Sequence, residues 1–219
     1  MFLKVNGVHL FYEKSGSGPP LLLLHGNGED HHIFDKIAIK LANHFTLYAL
    51  DSRGHGQSEM SGERSYDVMA EDVFAFIKAR NLGRVHLLGF SDGAIIGLIL
   101  GLTRLSVLAK MVLLGPNLSP DDLTPKAVDL IKLLIVATAN PWLSLLLKEP
   151  RLKLASLAKI TTPCLVVAGE NDLFKPKVIP SIAKALPDAR LKIIAGHDHQ
   201  SYIVDNDLLY EDVLCFLTA

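Results

Sequence analysis

The chain has 219 residues, with 22 lysines and arginines against 23 aspartates and glutamates, for a formal net charge of −1. So even a balance excludes a nucleic-acid binder working through a basic stripe. With 49% hydrophobic and 21% charged residues, it also excludes a disordered chain.

The length suits one domain, 1–219, able to bury about 70% of its unfolded surface. The apolar-plus-glycine run Ala94–Leu102 is far too short to span a membrane. Met1–Gly7 lacks the basic-then-apolar pattern of a secretory leader. Cys164 and Cys215 lie among apolar neighbours and read as small core residues of a reducing compartment. The expectation is a cytoplasmic protein with no membrane and no nucleic-acid partner.

The elements begin with strands. Phe2–Val5 and Val8–Glu13 flank Asn6-Gly7, a two-residue hairpin turn signal. Leu21–Leu24 is a four-residue apolar run, the mark of a strand covered on both faces. Ile33–Asn43 has helical spacing, and Phe45–Leu50 is a further buried strand. Ser65–Arg80 then reads as a helix with Ala70, Val73, Phe74 and Ile77 on one stripe. Val85–Leu88 (strand), Asp92–Thr103 (helix) and Lys110–Leu114 (strand) follow. Past a gap come Cys164–Ala168 (strand), Lys175–Leu186 (helix), Arg190–Ile194 (strand) and Asp207–Leu217 (helix). An antiparallel start followed by β–α alternation predicts an α/β fold: a mostly parallel sheet of about eight strands with helices on both faces.

Three loops carry chemistry. Gly89-Phe-Ser91-Asp-Gly93 is a G-x-S-x-G string lying between a strand and a helix. That turn lifts a serine hydroxyl above the sheet edge, over a helix N-terminus. His25-Gly-Asn27-Gly28 follows the first buried strand. A serine attacking a carbonyl needs two backbone N–H donors for the oxyanion. Asp92 N–H supplies one, and Asn27 N–H, with Gly28 second, the other. The serine also needs a base and an orienting acid. Asp172, with Glu170 as competitor, and either His197 or His199 follow consecutive late strands. Chain order Ser…Asp…His is that of a nucleophile elbow.

Gly26-x-Gly28-x-x-His31 lacks the third glycine of a dinucleotide loop. The histidines 25, 31 and 32 have no carboxylate or cysteine at metal-ligand spacing and read as structural. Neither a cofactor nor a metal is expected.

Taken together, His25-Gly26, the loop Asp51-Ser-Arg-Gly-His-Gly-Gln-Ser58, Gly89–Gly93, Gly169–Asp172 and the terminal histidine resemble the α/β-hydrolase superfamily. The resemblance implies Ser91 as nucleophile, His199 as base, Asp172 as acid, and the N–H groups of Asn27 and Asp92 as oxyanion hole. The 27-residue separation of Asp172 from His199 and the string His199-Gln-Ser-Tyr202 favour His199 over His197 on that resemblance. Arg53 and His55 would buttress the site. The Asp92 carboxylate has two readings: a helix-start residue, or a pocket carboxylate for the amine-bearing esters that some similar proteins cleave.

The segment 116–159 departs from the family in its shortness. Thr124-Pro125 and Asn140-Pro141 each read as a helix start, and Val128, Ile131, Leu134 and Ile135 share a face. A short helical lid is expected, over a small-molecule substrate. The implied reaction is hydrolysis of a small apolar carboxylic ester through an acyl-enzyme. Carbon–carbon or thioester hydrolysis on the same residues, or a small-molecule sensor retaining them, are alternatives.

Overall fold

A computed structural model describes residues 1–60 and 62–219. β1 (Phe2–Val5) and β2 (Val8–Ser15) pair antiparallel with Val5 opposite Val8. The turn joining them holds both Asn6 and Gly7 at positive φ, as an Asn-Gly hairpin requires. β3 (Pro20–Leu24), a 3-10 turn at His31–Phe34, α1 (Asp35–Leu41) and β4 (Thr46–Leu50) follow. The expected helix over 33–43 therefore opens as a tight turn, because the Asp30 side chain caps the His32 N–H at 2.9 Å. Next come α2 (Tyr66–Ala79), β5 (Val85–Phe90), α3 (Asp92–Thr103) and β6 (Leu108–Leu114).

Residues 116–159 then leave the sheet. They form a capped 3-10 turn at Pro120–Asp122, α4 (Pro125–Thr138), and 3-10 turns at Leu143–Leu147 and Leu154–Lys159. Thr124 caps α4 through the Ala127 N–H at 3.2 Å, with Pro125 in its first turn, as read from the sequence. The second start signal makes no α-helix. Asn140 Oδ1 instead accepts the Trp142 N–H at 2.9 Å and closes a local turn. The chain returns through β7 (Cys164–Asn171), α5 (Val178–Ala185), β8 (Ala189–Asp198) and α6 (Tyr210–Thr218).

Among the described residues, eight strands form one sheet in the order β1-β2-β4-β3-β5-β6-β7-β8. β2 is antiparallel to β1 and β4, and every pairing from β4 to β8 is parallel. The period-2 alternation splits the core. Leu22, Leu24, Leu87 and Leu113 pack with α2, α3, α5 and the segment after β6. Leu21, Leu23, Leu88 and Val112 pack on the other face with α1 and α6. Helices thus cover both faces, as the β–α alternation predicts.

α3 is apolar all round and is buried from Asp92 to Gly101, between the sheet, α2 and the returning segment. In α2 the buried stripe includes Phe76, while Phe74 is half-buried. Cys164 is buried, but Cys215 is exposed. The latter corrects the sequence reading: Val213, Phe216 and Leu217 turn inward on α6, and position 215 falls on the opposite face. No helix among the described residues is long and apolar enough to cross a membrane.

Candidate active site

Ser91 sits between β5 and α3 at φ 51°, ψ −110°, a conformation that L residues seldom adopt. Such a backbone persists only where its surroundings impose it. The flanking glycines show what does. A Cβ on Gly93 would overlap the Leu24 carbonyl, and one on Gly89 would overlap the Gly93 carbonyl. The spacing of the G-x-S-x-G string is thus set by close backbone approach across β3, β5 and α3.

The structure brings Ser91, His199 and Asp172 together. Ser91 Oγ lies 3.0 Å from His199 Nε2, and His199 Nδ1 lies 2.8 Å from Asp172 Oδ1. A carboxylate oxygen can only accept from Nδ1–H, so Nε2 of the neutral ring accepts the serine hydroxyl. Asp172 Oδ1 also accepts the Leu173 N–H at 2.7 Å, while its Oδ2 is buried without a partner. Phe90 and Phe174 flank the imidazole at ring-centroid distances of 4.9 and 5.4 Å. Tyr202 is buried near it, and burial and the negative Asp172 hold its phenol well above the usual range.

The two competitors lie elsewhere. His197 Nδ1 is 3.1 Å from Ser201 Oγ. Glu170 Oε2 accepts the Gly196 N–H at 2.8 Å, bracing the irregular end of the β7–β8 pairing. That pairing extends further than the sequence suggests. Asn171 is opposite Asp198, so His197 and Asp198 end a strand instead of lying on a loop, and His199 follows directly.

Asn27 lies on the turn after β3. Its Nδ2 donates to Asp92 Oδ2 at 3.0 Å and to the Trp142 carbonyl at 3.1 Å. The neighbouring N–H groups are spoken for: Gly26 N–H by Glu29 Oε2 at 3.0 Å, and Gly93 N–H by the His25 carbonyl at 3.1 Å. Asp92 is 1% exposed, and Tyr66 Oη donates to its other oxygen at 2.7 Å. Burial pushes this carboxyl up to about 6, against the pull of the two donors. The carboxylate is not part of the cavity wall, which removes the reading of Asp92 as a contact for cationic substrates.

Ser91 and His199 open onto a cavity of about 350 Å³. Leu123, Leu130, Ile131, Leu134, Leu143 and Leu146, all from the segment after β6, make most of its far wall. Its charged members are acidic: Glu29, Glu149 and Asp198. Glu29 escaped the sequence reading. Burial pushes its carboxyl up to about 7. The only sequence hint was an acid three residues past a glycine turn, a spacing that lets a side chain reach back to a backbone N–H.

The histidine-rich turns are hydrogen-bonded into the fold. His25 Nδ1 donates to the Gly26 carbonyl at 2.7 Å and its Nε2 accepts the Ser52 N–H at 2.9 Å. Burial lowers its pKa to about 4, keeping the ring neutral. His31 bonds Asp51 Oδ1 through N–H and Nδ1 at 2.9 and 2.7 Å. Asp30, His31 and His32 do present ligand atoms within 4.8 Å of one another. The sequence reading found no carboxylate at such spacing, and the 3-10 turn supplies one by folding consecutive residues together. Each is engaged locally, with Asp30 capping His32 and His32 Nδ1 3.0 Å from Asp35. Arg53 pairs with Asp72 in the interior, Nε to Oδ2 at 2.5 Å and Nη2 to Oδ1 at 2.7 Å.

Residues 19–143 match the family model described as alpha/beta hydrolase fold. Over 99 residues the chain is 36% identical to the uncharacterized hydrolase YraK of Bacillus subtilis, covering 44% of this chain and 36% of that protein. Matches to the first curated relatives span about a third of their length. Among solved structures, Est816, an N-acyl homoserine lactone degrading enzyme, superposes with a TM-score of 0.85 at 21% identity, covering 99% of this chain and all of that one. The enol-lactonase of Burkholderia xenovorans LB400 superposes with a TM-score of 0.84 at 22% identity, each chain covered in full. The matched family model covers more than half of the sequence, including the strand-to-helix turn at Ser91: the chain belongs to the alpha/beta hydrolase family.

Proposed function

We propose that the protein is a serine hydrolase cleaving a small, mainly apolar carboxylic ester through an acyl-enzyme. The observation that carries this is the chain of contacts from Ser91 Oγ through His199 to Asp172, at 3.0 and 2.8 Å, opening onto an aliphatic cavity. In this reading His199 Nε2 takes the proton of Ser91 Oγ as the oxygen attacks the carbonyl carbon. Asp172 holds the ring with Nδ1 protonated and stabilises the imidazolium that forms. The N–H groups of Asn27 and Asp92 hold the oxyanion, each worth on the order of 3 kcal/mol. His199 then gives its proton to the leaving alkoxide. Water attacks the acyl-enzyme by the same route in reverse, releasing the acid and restoring Ser91.

Residues 116–159 serve as a helical lid on a single domain, 1–219. Its leucines and isoleucines favour an apolar acyl or alkyl group, and about 350 Å³ suits a small ligand. Two free cysteines fit a cytoplasmic setting.

Labelling with a fluorophosphonate, with p-nitrophenyl esters of increasing chain length as substrates, tests the reading. Ser91 is expected to be the labelled residue, and Ser91→Ala to lose both label and turnover. Folded protein that neither labels nor turns over any ester in the series overturns it.

A further inference from the structure

The segment after β6 meets the floor of the site through two residues. Asn27 Nδ2 bridges Asp92 Oδ2 and the Trp142 carbonyl, at 3.0 and 3.1 Å. Tyr66 bridges Asp92 Oδ1, through its hydroxyl at 2.7 Å, and Glu149 Oε2, through its backbone N–H at 3.0 Å. Both oxygens of Asp92 are therefore engaged, one with each bridge. The Asn27 backbone needs such a tie. It lies between two glycines, with Gly28 at φ +76°, and neither has a side chain to hold the turn. The Gly26 N–H is held by Glu29 Oε2 at 3.0 Å and the Gly26 carbonyl by His25 Nδ1 at 2.7 Å, so the peptide that carries the Asn27 N–H is anchored at its carbonyl, and the Asn27 side chain anchors its other end.

We propose that Asp92 is a positioning residue whose carboxylate clamps the Asn27 side chain and so aims the Asn27 backbone N–H at the oxygen of the reacting carbonyl. The inference rests on the serine-hydrolase reading, in which that N–H stabilises the oxyanion. A clamp of this kind acts when charge develops on the oxygen, so its loss falls on the transition state and not on ground-state binding.

The test compares Asp92→Ala, Asn27→Ala, the double variant and Asp92→Asn on p-nitrophenyl butyrate. An alkyl trifluoromethyl ketone, whose adduct with Ser91 places an oxyanion in the hole, serves as a second probe. Asp92→Ala is expected to lower kcat 10- to 100-fold with KM within twofold, and to weaken inhibition by the ketone by the same factor as kcat/KM. Asn27→Ala, which keeps the backbone N–H, is expected to do the same. The double variant should be no worse than the poorer single one, because both delete one contact. Asp92→Asn, whose Oδ1 still accepts from Asn27 Nδ2, should recover kcat to within about threefold of the parent.

A parent-like kcat and inhibition in Asp92→Ala overturns the proposal, as do losses that multiply in the double variant or that fall on KM alone. If Asp92→Ala does not fold, Asn27→Ala decides the matter by the same two measurements. Ser91→Ala separates the two levels. Retained ester turnover there removes the serine-hydrolase reading, whereas an inert Ser91→Ala beside an unaffected Asp92→Ala removes the clamp alone.

Discussion

Gly115 lies against the His199 imidazole: a Cβ at that position would stand 2.7 Å from Cε1 and 2.9 Å from Nδ1 of the ring. The residue follows β6 at φ +57°, where any other side chain is also strained. Gly115→Ala is therefore expected to push the ring away from Ser91. kcat should fall 10- to 100-fold, and stability by about 1–2 kcal/mol. Ester kinetics and urea unfolding measure the two effects.

The two histidines near the C-terminus are expected to separate cleanly. His199→Ala should lose at least about a thousandfold in kcat, as removal of the base from such a constellation does. His197→Ala, whose ring faces Ser201 and not Ser91, should keep kcat/KM within twofold. Equal losses in both would count against the assignment of His199.

Glu29 makes stability depend on pH with a definite sign. Its folded pKa, about 7, lies above the ordinary 4.5. Between these values the unfolded chain gives up the proton first, so stability falls as pH rises through the window, and the loss is complete above about pH 7. Glu29→Gln keeps an acceptor for the Gly26 N–H and removes the charge. It should be more stable than the parent by about 1–2 kcal/mol at pH 8 and equal to it below pH 4. Urea titrations at the two pH values decide it.

Acidic members of the cavity wall disfavour acyl groups that carry a carboxylate. With Glu149 and Asp198 lining the space, and Glu29 charged once pH rises past about 7, a p-nitrophenyl hemisuccinate should be cleaved at least about tenfold less efficiently than the neutral butyrate at pH 8, since like charges repel. Glu149→Gln should narrow that ratio.

Asp72 and Arg53 form an interior pair, 2% and 4% exposed, with Asn6 Nδ2 adding a 3.0 Å bond to Asp72. Asp72→Ala should cost about 3–5 kcal/mol, because it removes both carboxylate bonds from a buried guanidinium. Replacing both with apolar residues of similar volume should recover most of the loss. Thermal and urea unfolding of the three variants test it.

Much of this was legible in the sequence because local signals agreed with global ones. Asn6-Gly7 encodes its hairpin, Leu21–Leu24 reads as a strand covered on both faces, and Gly89–Gly93 couples a turn to the packing beneath it. What stayed hidden depends on contacts distant in sequence. Asn171 pairs with Asp198, which carries the last strand past the point where its apolar pattern stops. Asp92 is the helix-start residue read from the sequence, but its partners Tyr66 and Asn27, 26 and 65 positions away, leave no trace there. Cys215 failed for a simpler reason: apolar neighbours in sequence do not fix which side of a helix a residue occupies.

The joined ends of β7 and β8 divide the site into parts of different adaptability. Asp172 and His199 each follow directly on one of two paired strands, so the two side chains are carried on one ladder. The Asn27 turn has no such ladder, and its side chain leans on Asp92 and the Trp142 carbonyl. Exchange of residues 116–159 for another sequence would therefore remove one of the two acceptors of the Asn27 side chain, unless the replacement returns a carbonyl to that spot. A new wall on this framework is constrained in its backbone as well as its shape, at the Trp142 carbonyl facing Asn27 and at Leu123, which bridges Phe174 beside His199.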